Sequence, residues 1–195
     1  MPNATQMLRQ DHKKVKGLFI KFEQAKEVDA KRQVAEQAVD ELEVHAQVEE
    51  EVFYPAVKKT IESIELVDDA KQEHQTAKSL ISQLKKMSGR DVGDDNDFET
   101  KFSELMQAIG HHVAEEEGEM FPEVEDSELD LSVLGAQMTK RKQEITKGVG
   151  SKITKTGNHS KTASKSQSPR QTKSQSKTAR SSGKKTSAGA LGPRE

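Results

Sequence analysis

The chain of 195 residues contains no cysteine and no tryptophan, and aromatic residues make up only 4% of it. Without thiols it can form neither disulfides nor thiolate zinc sites nor iron–sulfur clusters, so any metal must be held by nitrogen and oxygen donors. Uninterrupted apolar runs are only a few residues long, far short of the roughly 20 that span a bilayer. The start, Met1-Pro2-Asn3-Ala4-Thr5, has neither the basic opening nor the apolar stretch of a secretory signal. A soluble, cytoplasmic protein without membrane contact is expected. Alternating β-branched runs bounded by hairpin turns are also missing, which argues against strands.

Hydrophobic residues are 31% of the chain and charged residues 33%, too lean a mixture for a core running the whole length. The net charge of −2 conceals an asymmetry. Residues 1–139 carry 16 Lys+Arg against 31 Asp+Glu, a balance of −15, and residues 140–195 carry 15 against 2, a balance of +13. The chain therefore divides into an acidic domain, 1–139, and a basic low-complexity tail, 140–195. From about Ser151 the large aliphatics are Ile153 and Leu191 alone, and a disordered segment is expected there.

The acidic part shows four stripes at helical spacing. Leu8, Val15, Phe19 and Phe22 flank His12; Val34, Ala38, Leu42 and Val52 share a face with His45 and Glu49. Leu66, Ala70, Ala77, Ile81 and Leu84 enclose His74, and Phe98, Phe102, Leu105, Ile109 and Met120 enclose His112 and Glu116. Breakers are expected at Val28-Asp29, around Pro55 and over 88–97. A short helix with Leu131, Leu134 and Met138 follows. The expected fold class is all-α: an up-down-up-down four-helix bundle, a short C-terminal helix and the basic tail.

Six ionisable residues sit where apolar ones belong: His12, His45, Glu49, His74, His112 and Glu116. Burying a carboxylate without a partner costs several kcal/mol, and six such residues need a common compensation. Divalent cations supply one, giving positive charge to the acids and an acceptor to each imidazole lone pair. His45/Glu49 and His112/Glu116 are spaced by four and so project from one helix face. The segment His45–Pro55 also repeats as His112–Pro122, which implies two helical hairpins facing each other across a pseudo-symmetric site.

Asp11-His12, Glu73-His74 and the two His-x-x-x-Glu-Glu segments ending in aromatic-Pro resemble the hemerythrin-like HHE cation-binding family over roughly residues 4–125. The resemblance implies a four-helix bundle around a non-haem di-iron centre. Its terminal ligands would be His12, His45, His74 and His112, and its bridges Glu49 and Glu116. Oxygen-carrying hemerythrins have a further histidine on the third helix, where Ala70 and Lys78 stand here, so an open coordination position is expected. Zinc and manganese suit the same donors. A ferritin-like bundle is the competing fold, but its Glu-x-x-His signature has the opposite order and a spacing of three.

Several neighbours have a plainer reading. His111 is expected to be exposed, and Glu50, Glu51, Glu115 and Glu117 to form a solvated acidic face, with Glu50 and Glu115 the candidates for orienting histidines. Phe53, Tyr54 and Phe121 are read as packing residues, Tyr54 having the alternative of a hydrogen bond near the site. Three functional classes follow. One is a metal-binding module for O2, NO, peroxide or iron itself; another is a di-iron enzyme acting on peroxide, oxygen or nitric oxide; the third is an interaction protein whose basic tail makes weak, salt-dependent contact with nucleic acid.

Overall fold

The computed structural model describes residues 2–88 and 95–153, with side chains to 147 except at 88. The tail beyond 153, and the disorder expected of it, lie outside the described residues, as does the break over 89–94. Every regular element among the described residues is helical.

Helix α1, Ala4–Gln24, begins at a reciprocal cap. The Asn3 side chain accepts from the Gln6 N–H at 2.9 Å, and the Gln6 side chain accepts from the Asn3 N–H at 3.2 Å. The chain turns over three residues, 25–27, into α2, which runs Val28–Val48, passes through a π-helical turn at Glu49–Phe53 and ends at Tyr54–Val57. The break expected at Val28-Asp29 thus falls just before Val28. Helix α3 is Ile64–Ser88. Helix α4 repeats the design of α2: Asp95–Glu115, a π turn at Glu116–Met120, then Phe121–Asp126. Helix α5, Leu131–Ile153, starts where the Asp130 carboxylate accepts from the N–H groups of Ser132 and Val133, both at 3.0 Å.

Pro55 does not end α2. Proline lacks an N–H and its ring crowds the preceding turn. The π turn, closed from the Tyr54 N–H to the Glu49 carbonyl, widens the helix there and carries it through. Pro122 sits in the same position after the second π turn. The additional residue also resets the register, so that Glu49, Phe53, Tyr54 and Val57 are all buried, as are Glu116, Met120, Phe121 and Val124.

Helices α1 and α2 pack as one hairpin and α3 and α4 as another, while α5 lies against α1 and α2. At 23 residues α5 matches the other helices in length and is no short cap. It crosses the compositional boundary at 139/140, and two basic residues just past that boundary reach back to the bundle. Arg141 pairs with Glu51, and Lys142 meets both oxygens of Asp11 at 2.5 and 2.7 Å. Gly135 permits this approach, because a Cβ there would lie 2.8 Å from the Pro2 carbonyl oxygen.

Two apolar cores fill the bundle. One holds Leu8, Phe53, Tyr54, Val67, Phe121 and Met138. The other holds Phe19, Phe22, Leu42, Ile81, Phe102 and Leu105. Of the expected stripe residues, Val34, Leu66 and Val52 are only partly buried, their inward places being taken by Ala35, Val67 and Val48. The six ionisable residues form the layer between the cores. No helix among the described residues is long and apolar enough to cross a membrane.

Candidate metal centre

Each helix of the bundle delivers its share of the polar layer one turn from its neighbours in the two cores. On α1, His12 follows Leu8 of one core and precedes Val15 of the other; on α3, His74 stands between Ala70 and Ala77 in the same way. All four histidines and both glutamates are buried, with no more than 6% of any of them exposed. The structure brings together all six residues singled out by the sequence. His12, His45, Glu49 and Glu116 form one cluster and Glu49, His74 and His112 another, with ligand atoms in each within 4.8 Å of one another. Glu49 belongs to both.

The imidazoles face each other through Nε2. The distance is 3.2 Å between His12 and His45, and 3.2 Å between His74 and His112. Glu49 Oε2 lies 3.0 Å from His45 Nε2 and 3.4 Å from His74 Nε2. Glu116 Oε2 lies 3.3 Å from His12 Nε2 and 3.5 Å from His112 Nε2. Each glutamate therefore reaches one histidine of each pair, as a bridge between two positions would.

Outward, the Nδ1 atoms meet carboxylates. Glu117 Oε1 is 2.8 Å from His12, Glu50 Oε1 2.9 Å from His74, and Glu73 Oε2 3.0 Å from His112. Asp11 is 3.7 Å from His45 Nδ1, an ionic contact too long for a hydrogen bond. Lys78 in turn donates to both oxygens of Glu50 at 2.6 Å. With Nδ1–H engaged by a carboxylate, a neutral imidazole has only a lone pair at Nε2. Two neutral imidazoles so engaged would point lone pairs at each other across the 3.2 Å between His74 and His112, an arrangement that needs a proton or a cation between them.

The electrostatics agree. Burial opposes charge on His45, yet the Glu49 carboxylate, backed by Asp11 and Glu116, carries its pKa up to about 10. His74 is raised against the same desolvation by Glu49 and Glu50. Burial works to raise Glu49, but His45 and His74 hold it well below the usual carboxylate range. Both oxygens of Glu49, Oε2 of Glu116 and Nδ1 of His45 still lack a hydrogen-bond partner. Buried carboxylate oxygens left in this state are what a cation would satisfy, and a set of four imidazoles and two carboxylates fits one of borderline softness.

Sequence reasoning missed part of the surround. Glu50 backs a histidine as expected, but Glu115 instead lies 3.2 Å from His111, which is exposed as expected. Glu117 turns inward to His12, and Asp11 and Glu73 complete the set. The signal was present in the pairing of an acid immediately before each single histidine and immediately after each central glutamate. Tyr54 does more than pack. Its hydroxyl, fully buried, donates to Glu116 Oε1 at 2.9 Å and lies 3.3 Å from His74 Nε2. Burial, with Glu49 and Glu116 nearby, pushes its pKa well up and keeps the phenol protonated. Phe121 occupies the equivalent place in the other hairpin and stacks on His12. A cavity of about 350 Å³ adjoins the layer on the side away from Tyr54, lined by His45, His74 and His112 with Leu42, Ala77 and Ile81.

The family model for the hemerythrin HHE cation-binding domain matches residues 3–124, more than half of the chain. The chain belongs to the hemerythrin HHE cation-binding family. A hemerythrin-like fold is found in the crystal structure of an HHE cation-binding domain-containing protein of Mycobacterium kansasii, described as an Rv2633c homolog. That structure aligns with a TM-score of 0.66 and 24% identity over 81% of this chain and 96% of that one. A "DNA nickase" of Nostoc sp. is 26% identical over 160 residues, 80% of this chain but 43% of that protein. The HHE chain thus spans less than half the length of that relative. Membership makes the bundle a cation-binding domain, and among the described residues the two His/Glu clusters whose members are all buried both lie in this layer.

Proposed function

We propose that this HHE domain binds two iron ions, with His12, His45, His74 and His112 as terminal ligands and Glu49 and Glu116 as shared ones, and that the centre binds or senses O2, NO or peroxide. The observation that supports this reading is the inward set of four Nε2 atoms around two glutamates, three of whose four carboxylate oxygens are buried without a hydrogen-bond partner. Bound iron would supply redox chemistry and a position for a small ligand. The chain's own residues orient three of the imidazoles through Glu50, Glu73 and Glu117, with Asp11 in ionic contact with the fourth. They hold a proton on the Tyr54 hydroxyl facing the layer, and the two apolar cores flank the layer on either side. Alanine at 70 and lysine paired outward at 78 leave the third helix with one histidine donor, which favours an exchangeable position. Metal analysis with a visible spectrum tests the reading: two irons per chain with oxo-bridge charge-transfer bands are expected, and His112→Ala should lower the loading. Purification with zinc alone, and no iron uptake on reconstitution, would refute it. Peroxide consumption by the iron-loaded protein would make the centre an enzyme rather than a binding site.

A second reading concerns the basic segment. The match to the Nostoc "DNA nickase" is longer than the family match, so it reaches past the HHE domain. The composition of residues 154–195, ten Lys+Arg against one Asp+Glu, favours weak contact with nucleic-acid phosphates alongside the metal function.

A further inference from the structure

A second cavity, of about 510 Å³, forms a groove between α1 and α4. Its floor is Val15, Phe19, Ile109 and Val113, its inner end is His12 with Glu117, and its rim carries Arg9, Lys13 and Lys16. Four of these residues, His12, Val15, Ile109 and Val113, also line the cavity beside the polar layer, so the two spaces meet at His12. Their outer ends differ in charge. The first opens past Glu43, Glu50 and Glu51, with Lys78 already bound to Glu50. The groove opens past cations.

That rim stands out in an acidic bundle. Over residues 4–24, α1 has five Lys+Arg and two Asp+Glu, and it alone among the four bundle helices is basic. Arg9 is largely compensated by Glu125 at 3.3 Å and Lys14 by Glu41 at 2.6 Å. Lys13 and Lys16 have no ion pair among the described residues and are exposed. The opposing charge in the groove is Glu117, which is engaged by His12. Gly110 borders the groove, and nothing lies within 4 Å of where its Cβ would be.

We infer that the α1–α4 groove is the path by which small anionic ligands reach the centre, with Lys13 and Lys16 drawing them through the field of an otherwise acidic domain. Cations beside a low-dielectric channel raise the local concentration and arrival rate of an anion without touching a neutral molecule. The inference rests on the proposed ligand-binding centre and names the class of ligand that this route favours.

Stopped-flow association of azide and of nitric oxide with the iron-loaded full chain tests it, iron content being matched between variants. At low ionic strength Lys13→Gln/Lys16→Gln should slow azide about threefold to tenfold and leave nitric oxide unchanged, and salt should erase the difference. Gly110→Leu, which fills open space, should slow both ligands. An unchanged azide rate in the double variant overturns the inference, as does equal slowing of both ligands by it. Full rates in Gly110→Leu would show that ligands arrive by the acidic side. Should the loaded chain bind neither ligand, the proposed centre itself fails and the groove has nothing to serve.

Discussion

Glu49 and Glu116 place two carboxyl groups in the core, and every group around them bears on how that burial is carried. His45 and His74 shoulder it from one side, and the Tyr54 hydroxyl gives Glu116 its hydrogen bond at 2.9 Å. Removing a donor from a buried acceptor costs about 1–3 kcal/mol, more than the phenol oxygen would contribute as packing volume. Tyr54→Phe should therefore lower the stability of the metal-free protein by about that amount, seen as an earlier midpoint in urea at unchanged slope. An unaltered midpoint would return Tyr54 to the packing role read from the sequence.

The elements are shaped by two repeated π turns and one close helix contact. The π turns put Glu49 and Glu116 at corresponding places in two hairpins and let the chain continue through Pro55 and Pro122. Helix α5 is held by its own packing as well as by Arg141 and Lys142, and Gly135 is where it comes nearest to the start of α1. A methyl group at 135 meets backbone oxygen and nitrogen that cannot move aside cheaply. Gly135→Ala should lose about 1–2 kcal/mol, overpacking outweighing the helix propensity it gains. Gly110→Ala, in open space on α4, should instead gain about 0.5–1 kcal/mol. Thermal unfolding of the two variants side by side checks the contrast; a Gly135→Ala protein as stable as the parent would show that α5 is free to shift.

For the whole molecule the decisive feature is charge of opposite sign along one chain. The acidic bundle can place metal in its interior independently of the basic segment, because all six proposed ligands lie between residues 12 and 116. Deleting residues 154–195, which carry ten Lys+Arg and one Asp+Glu, should leave metal loading unchanged. It should also abolish any DNA mobility shift, and the full chain's shift should weaken steeply with salt, since phosphate binding of this kind is driven by counterion release. Retention of the shift by the shortened chain would place nucleic-acid contact on the bundle and refute the tail reading.

Much of this was legible in the linear order of residues. Periodicity marks the four bundle helices, and the interruption of each apolar stripe by His or His/Glu locates the polar layer, because a residue every three to four positions must share a face whatever the tertiary packing. The duplicated His45–Pro55 and His112–Pro122 segments foretell the two facing hairpins for the same reason. Distances between helices do not follow from spacing along one of them. That Glu49 reaches His74 across the bundle, that Glu117 turns to His12 while Glu115 stays with His111, that Tyr54 faces Glu116, and that a basic groove and an acidic cavity meet at His12 were decided by packing alone. A sequence specifies which face of each helix is buried, but only the assembled bundle determines which buried faces meet.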